Sequence, residues 1–187
     1  MPRAGLTPAV VVDEAARLAN EVGLERLTLA KVASQLGVTL PSLYKHVAGL
    51  DGLRRLLALR GVRELTAATA NAAVGLSGPD ALRAVSAAYR GYALANPGPY
   101  AASLRAPDPG DVDHQAAAEG AVAVFLAILK GYGLEGDRAI HATRVARSAL
   151  HGFVAIDAAG GFGLPQSLDA SFDHLVAALD RALRSWR

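Results

Sequence analysis

The sequence contains no cysteine and only one methionine and one tryptophan among its 187 residues. Without cysteine there is no disulfide bond, no thiolate metal ligand and no redox sensing by thiol chemistry, which agrees with a reducing compartment. No apolar run reaches the roughly 18 residues that a membrane-spanning helix needs, because Arg, Asp or Gly interrupts every apolar stretch. The N-terminus also lacks the apolar core of a signal peptide. We therefore expect a soluble, cytoplasmic protein with no membrane partner.

Charged residues are also scarce, at 19% of the chain against 52% hydrophobic residues. A monomer of this composition has more apolar surface than it needs to bury, which favours burial against a partner. The net charge of +2 is too small to argue for nucleic acid by itself. However, residues 1–60 hold eight Lys and Arg against five Asp and Glu, whereas the rest holds eleven against twelve. The basic excess therefore lies at the N-terminal end, where it could meet phosphates.

Motifs for catalysis or metal binding are missing. The five histidines form no pair at i, i+4 spacing and no H-E-x-x-H motif, so no metal site is expected. Ser148 and His151 are three residues apart and Asp157 follows, but no nucleophile-elbow motif accompanies them. The loop at 160–163 follows a helical pattern rather than a strand, so it does not resemble a phosphate-binding loop. The sequence predicts neither an enzyme nor a cofactor.

The distribution of residues predicts an all-α fold. Ala and Leu dominate, no alternation of period two persists, and Gly or Pro interrupts the chain at helix-length intervals. A long helix is predicted from Asp51 toward Val74. Further helices are expected at about residues 79–95, 98–105, 112–132, 136–158 and 168–186.

Three shorter helices are predicted before the long one. The first begins at Thr7 as N-cap and ends at Gly23. The second begins at Thr28 and ends at Gly37, and Thr39 can cap the third. Two short helices that flank a tight turn and depend on a preceding helix form a helix-turn-helix unit.

This pattern divides the chain into two predicted domains. Residues 1–50 form an N-terminal three-helix DNA-binding domain, which also takes in the start of the connecting helix to about residue 57. Residues 51–187 form a larger helical domain for effector binding and dimerisation.

The third helix, predicted over 39–47, carries the DNA-reading chemistry, because the second helix of a helix-turn-helix enters the major groove. Leu43 and Val47 are four residues apart and would anchor it to the core. The other side chains point outward and suit phosphate or base-edge contacts. They are Thr39, Leu40, Pro41, Ser42, Tyr44, Lys45 and His46.

The segment from Leu27 to Val47 resembles the DNA-binding domain of tetracycline-repressor (TetR) family regulators. The family pattern of Gly-Val, cap, small residues, Leu-Tyr, any residue, His and an apolar residue is present from Gly37 to Val47, and the likeness covers about residues 7–57. The resemblance implies that the third helix reads DNA and that Thr28 caps the supporting helix. Many members have Lys where this chain has Leu50, and Arg54 or Arg55 could replace that phosphate contact.

The C-terminal region resembles a TetR subgroup with a Trp-His-Gly signature. The corresponding run here is Leu150-His151-Gly152-Phe153, and the run from Tyr92 to Tyr100 is also similar. The resemblance implies an effector domain. Its effector contacts are a hypothesis drawn from aromatic and polar residues scattered among aliphatic helices. The candidates are Tyr89, Tyr92, Tyr100, Phe125, Leu129, Arg147 and His151.

A protein that recognises paired DNA half-sites does so as a two-fold dimer. The last two predicted helices carry apolar residues at helical spacing, and the resemblance implies that they pair with their mates as a four-helix bundle. The candidate interface residues are Val145, Ala149, Phe153, Phe172, Leu175, Val176, Leu179 and Leu183.

The favoured function is a transcriptional regulator that binds a palindromic operator in double-stranded DNA as a homodimer. By the resemblance it is a repressor that a small-molecule effector releases. The alternative is a helix-turn-helix-derived adaptor or ligand-binding module that no longer reads specific DNA, which Leu50 and the low net charge favour.

Overall fold

The structure, a computed structural model, describes residues 5–186. Within this range it contains nine α-helices, one short 3-10 helix at Leu24–Arg26 and no strand, which confirms the all-α prediction. The helices are α1 (Pro8–Val22), α2 (Leu29–Leu36), α3 (Leu40–Leu43), α4 (Gly49–Ala73), α5 (Gly78–Ala95), α6 (Pro97–Ala102), α7 (Val112–Lys130), α8 (Gly136–Ala158) and α9 (Leu168–Ser185).

The caps of the first two helices are formed as the sequence predicts. The Thr7 hydroxyl accepts a hydrogen bond from the backbone N–H of Val10 at 3.3 Å, and the Thr28 hydroxyl accepts one from Lys31 N at 3.3 Å. Gly37 ends α2 in the left-handed conformation, with φ of 64°, which glycine adopts without a steric penalty. These local signals fix where α1 and α2 lie in the chain.

The chain folds as two compact units whose boundary differs from the predicted one at residue 50. Unit 1 comprises Met1–Glu64 and Asn96–Ala117, and unit 2 comprises Leu65–Ala95 and Ala118–Arg187. The first half of α4 belongs to unit 1 because Leu53 and Leu57 complete its core. The predicted division of labour, DNA binding in one part and effector binding in the other, stays a prediction.

Unit 1 has a core of Leu, Val and Ala side chains from α1, α2, α3 and α4, to which α6 adds Ala102. α6 packs directly on α1. A Cβ at Gly98 would lie 2.5 Å from the Cβ of Ala19, so only glycine permits this close approach. The side-chain oxygen of Asn20 accepts a hydrogen bond from Gly98 N at 2.8 Å and fixes the contact.

In unit 2, α5, α8 and α9 pack against one another. Beyond the end of α7, the Tyr132 hydroxyl donates a hydrogen bond of 2.7 Å to Asp180 on α9. Burial and this bond to a carboxylate raise the pKa of Tyr132 above its usual value. The phenol therefore stays protonated and serves as a donor that ties α7 to α9.

Among the residues that the structure describes, one helix, α7, is long and apolar enough to cross a membrane. Its sequence is nevertheless not one continuous apolar run. Only 22% of its most apolar window is buried. A single helix that meets this test is weak evidence for a membrane.

Candidate nucleic-acid interface

The recognition segment is shorter as a helix than predicted. α3 spans only Leu40–Leu43, not residues 39–47. The chain continues in hydrogen-bonded turns, because the backbone N–H groups of His46 and Val47 both donate to Leu43 O, at 2.8 and 3.0 Å. The chain then bends at Val47 and Ala48, and α4 begins at Gly49, whose φ is 72°.

The side chains of this segment differ in how far they are buried. Leu43 is completely buried and Val47 is 5% exposed, so both anchor the segment to the core. Tyr44 is 58% exposed and Leu40 is 37% exposed. Thr28, Thr39, Pro41 and Lys45 are also exposed, whereas Ser42 and His46 are half-buried.

Cations near this surface differ in how strongly the protein itself engages them. Lys31 Nζ donates to Arg26 O at 2.9 Å, and Arg17 is held by Glu14 and Glu21, at 2.5 Å in each case. In the part of the chain that the structure describes, no such partner is found for Lys45. The Lys45 ammonium is therefore available to a phosphate.

The two arginines that could replace the family lysine are in different situations. Arg55 makes a bidentate ion pair with Asp111. The hydrogen bond from Arg55 lowers the pKa of the Asp111 carboxyl to about 2. Arg54 lies one turn after Leu50 on the same helix face, and its ion pair, at 3.7 Å, is with Glu25, which is 90% exposed. The Arg54 guanidinium is thus held more weakly by Glu25 than the Arg55 guanidinium is by Asp111.

Of the predicted effector residues, four are buried: Tyr89, Tyr100, Phe125 and Leu129. Tyr92 and His151 are half-buried, and both have partners within the protein. Arg147 is exposed on α8. A separate cleft of about 300 Å³ on unit 2 contains none of the seven; Pro79, Arg83, Asp173, Val176, Ala177 and Asp180 line it.

The predicted dimer interface requires a larger correction. Four of its members on α9 are buried inside the protomer and cannot offer area to a partner, because the strongest apolar stripe of α9 faces its own unit. Their exposed fractions are 5% for Phe172, 7% for Val176, 6% for Leu179 and 1% for Leu183.

Phe153 also packs against other side chains of its own protomer. Its ring centroid lies 5.2 Å from that of Phe172 and 5.0 Å from that of Phe162. The Arg90 guanidinium lies over both Phe153 and Phe172, 5.6 and 5.1 Å from their ring centroids, and it also pairs with Asp157 at 3.2 Å. This cluster connects α5, α8 and α9, so Phe153 is better explained by packing within unit 2.

The remaining predicted interface residues lie outside the core. Val145 is 42% exposed, whereas Ala149 and Leu175 are half-buried. Val145 and Ala149 share one face of α8 with Ile156, which is 45% exposed. This face is the apolar surface of α8 that its own unit leaves uncovered.

The contacts between α4 and the segment before α7 have no counterpart in the sequence pattern. Arg55 and Asp111 are 56 residues apart, and so no periodic or spacing pattern connects them. Arg105 likewise bonds to Asp51 in the first turn of α4, at 2.9 Å. An excess of complementary charges in the two segments was the only available signal.

Two short helices around a left-handed Gly37, with a buried leucine anchor and outward hydroxyl, aromatic and basic side chains, define a helix-turn-helix DNA-binding protein. Comparisons with known proteins agree. Residues 11–46 match the family described as bacterial regulatory proteins, tetR family. Residues 82–179 match the family described as tetracyclin repressor-like, C-terminal domain.

Relatives extend this result over most of the chain, and a solved structure shares its fold. HTH-type transcriptional regulator Rv0681 of Mycobacterium tuberculosis is 37% identical over 84% of this chain and 72% of its own length. YobS of Bacillus subtilis, also an HTH-type transcriptional regulator, is 36% identical over 86% of this chain and 84% of its own length. A TetR variant from Acinetobacter baumannii AYE in complex with minocycline superposes with a TM-score of 0.71 at 23% identity, covering 97% of this chain and 100% of that one.

The chain belongs to the TetR family of helix-turn-helix transcriptional regulators. Members of this family are DNA-binding regulators rather than enzymes, and they act as dimers.

Proposed function

We propose that this regulator is a cytoplasmic repressor, which binds a palindromic operator as a homodimer and is released by a small-molecule effector. The observation that carries the proposal is the pairing of a fully buried Leu43 with a 58% exposed Tyr44 and an exposed Lys45. This arrangement holds the recognition segment rigidly while presenting side chains that can bond phosphates and base edges.

The DNA contacts are proposed for Thr28, Thr39, Leu40, Pro41, Ser42, Tyr44, Lys45 and His46. Arg54 joins them as a phosphate contact in place of the lysine absent at Leu50. The weak Glu25 pair supports this role, since a pair at 3.7 Å with an exposed carboxylate contributes little and is readily exchanged.

The dimer interface is proposed on the uncovered faces of α8 and α9. On α8 this face consists of Val145, Ala149 and Ile156, with spacings of four and seven residues, and on α9 of Leu175 and Ala178, three residues apart. These spacings place each set on one side of its helix. Since the chain is rich in apolar residues, a second copy that covers these faces would remove exposed Val and Ile side chains from water. Two-fold pairing of two helices from each protomer forms a four-helix bundle.

The effector is proposed to be a small molecule with a largely apolar surface. Buried Tyr89, Tyr100, Phe125 and Leu129, together with Tyr92 and His151, supply the aromatic and polar groups that such sites use. The A. baumannii neighbour in complex with minocycline supports a small-molecule ligand for this fold. The effector can release DNA only to the extent that it binds the released state more tightly.

The test is selection of bound duplexes from a random library at near-physiological salt, by the purified wild-type protein and by a variant with both Tyr44→Ala and Lys45→Ala. We expect wild type to enrich a pseudo-palindrome with half-sites about one helical turn apart, and the variant to enrich nothing while unfolding at the same temperature. A monomer that enriches no sequence would instead support the adaptor or ligand-binding module.

A further inference from the structure

A cleft of about 300 Å³ lies on unit 2, between the first turns of α5 and the middle of α9. α5 contributes Pro79 and Arg83 to its lining, and α9 contributes Asp173, Val176, Ala177 and Asp180. The volume is at the lower end of the range for ligand pockets, about 300–1,000 Å³. The cleft therefore has room for a small molecule, and none of its residues is among the DNA, effector or dimer contacts proposed above.

Two opposite charges line this cleft without satisfying each other. Arg83 and Asp173 both face the cleft, yet no direct ion pair joins them in the described part of the chain. Arg83 pairs instead with Asp80 on its own helix, at 2.8 Å, and the two side chains are 68% and 72% exposed. Exposed pairs of this kind contribute little to stability, so this one is readily exchanged for another carboxylate.

Asp173 is an exposed carboxylate on the α9 side of the cleft. Among the described residues, no hydrogen bond or ion pair to its side chain is found. The cleft thus presents one exchangeable guanidinium and one carboxylate to a bound molecule.

The second carboxylate of the cleft, that of Asp180, is already satisfied by the protein. Its Oδ1 accepts the 2.7 Å hydrogen bond from the Tyr132 hydroxyl, and Arg184, one turn later on α9, pairs with its Oδ2 at 3.0 Å. Tyr132 fixes the position of this carboxylate and Arg184 balances its charge. The charges left for a ligand to match are therefore the positive one of Arg83 and the negative one of Asp173.

Apolar groups complete the lining. Val176 and Ala177 follow Asp173 by three and four residues, so they share its side of α9. Together with Pro79, they offer methyl and methylene groups against which a short hydrocarbon chain can pack. The lining therefore suits a molecule with a charged group at each end and an apolar middle.

The proposed dimer interface leaves this cleft uncovered. An α-helix turns by about 100° per residue, so Leu175 is about 200° around α9 from Asp173, and Ala178 is about 200° from Asp180. The dimer face and the cleft thus lie on nearly opposite sides of α9. A second copy that pairs through Leu175 and Ala178 does not occupy the cleft.

We propose that this cleft binds a small amphoteric molecule, which carries a carboxylate for Arg83 and an ammonium group for Asp173 on a short apolar chain. The guanidinium can bond a carboxylate through two parallel N–H donors, and the ammonium group can donate to the Asp173 carboxylate. A ligand with only one of these charges would leave either Arg83 or Asp173 without its partner. The site is additional to the proposed effector contacts and does not depend on DNA binding.

The test uses protein with ¹³C-labelled valine methyl groups and a series of probes from 3-aminopropanoate to 6-aminohexanoate. Each probe is compared with the unsubstituted carboxylate and the primary amine of the same chain length, for example 5-aminopentanoate with pentanoate and pentylamine. Val176→Ile identifies the Val176 resonances by their loss, and Val176→Ala replaces it if that variant does not fold. We expect at least one amino acid of the series to shift these resonances. It should bind about fivefold more tightly than either single-charge partner, the factor for a favourable exposed ion pair.

Substitutions in the cleft test both charges. Arg83→Gln and Asp173→Asn change exposed side chains, and each should weaken binding of the best probe about fivefold. Arg63→Gln and Asp113→Asn make the same changes at exposed positions of unit 1 and should bind the probe as wild type does.

Three results would overturn the proposal. They are no shift of the Val176 resonances by any amino acid of the series, equal affinity for a single-charge partner, or unchanged affinity in Arg83→Gln and Asp173→Asn. Equal affinity for the amine would mean that the cleft takes simple cations through its carboxylates. All titrations are made without DNA, so their outcome is independent of operator binding.

Discussion

The hydroxyl oxygens of Thr39 and Ser42 lie 2.9 Å apart in the first turn of α3. Thr39 occupies the N-cap position, yet its side chain makes no capping bond to the backbone. Both hydroxyls belong to the proposed DNA-contacting set, so in the free protein they satisfy each other. On DNA, this bond can be exchanged for bonds to a base edge or phosphate without leaving a hydroxyl unpaired.

Replacing Ser42 by alanine tests its role in reading DNA. We expect Ser42→Ala to weaken operator binding by about 1–3 kcal/mol, the range for loss of a base contact, while the unfolding temperature changes little. Fluorescence anisotropy with a labelled operator measures the affinity. Ser77→Ala, at an exposed serine in the loop before α5, is the control. Equal affinities for Ser42→Ala and wild type would remove this hydroxyl from the interface.

Lys45→Ala tests whether the unpaired ammonium contacts a phosphate. Each lost phosphate contact lowers the slope of log affinity against log salt by about 1, so we expect a weaker complex with a shallower slope. Arg63→Ala makes the same charge change at an exposed position, about 21 Å along α4 from its first residue at 1.5 Å per residue. If both variants reduced the slope equally, the effect would be one of net charge rather than of a contact.

Arg54 and Arg55 are adjacent, but their alanine variants should have opposite phenotypes. Arg54→Ala should weaken operator binding and reduce the salt slope by about 1, because this guanidinium is only loosely held by Glu25. Arg55→Ala should lower the free energy of unfolding and leave the slope unchanged, because it removes the partner of Asp111. Salt titrations and urea unfolding of both variants separate the two roles. A reduced slope in Arg55→Ala alone would reverse the assignment.

The Arg55–Asp111 pair also predicts a dependence of stability on pH. The hydrogen bond from Arg55 holds the pKa of Asp111 at about 2 in the folded protein, below the value of about 3.9 in an unfolded chain. The unfolded chain therefore takes up the proton first, and the stabilisation is present above about pH 4 and lost as the pH falls toward 2.

Urea unfolding of wild type and Asp111→Asn from pH 6 to pH 2.5 measures this effect. Wild type should be the more stable protein at pH 6, and the difference between the two should shrink below pH 4. Asp113→Asn, at an exposed carboxylate two residues away, should follow the wild-type curve. Parallel curves for wild type and Asp111→Asn would mean that the ion pair contributes nothing to the loss of stability at low pH.

The sequence predicts the helices well because their signals are local. Thr7, Thr28 and Gly37 each act within one turn of their own position, so caps and ends could be placed without knowing the fold. The inward direction of Leu43 followed from helical spacing alone. The length of α3 did not, since it depends on the turn that leads into α4.

Contacts between distant segments could not be derived in this way. The spacing of Phe172 and Leu179 shows that one face of α9 is buried, but not whether its own chain or a second copy covers it. The structure places that face inside unit 2 and leaves less covered the face that includes Leu175 and Ala178. Burial of His114 is equally invisible in the sequence, because the residue lies in the polar first turn of α7, between Asp113 and Gln115.

Because one face of α9 is buried within its own unit, a substitution that is meant to disrupt the dimer must lie on an uncovered face instead. Leu179→Arg would place a charge in the core of unit 2, where Leu179 is 6% exposed, and would unfold the protomer rather than separate two copies. Val145→Arg instead alters an exposed side chain on the proposed α8 face, so we expect a folded monomer by light scattering with little or no operator binding. Ile140→Arg, at a residue that is 43% exposed on another side of α8, should remain dimeric. A stable dimer of Val145→Arg would exclude this face, and monomers from both variants would mean that charge anywhere on α8 disrupts the assembly.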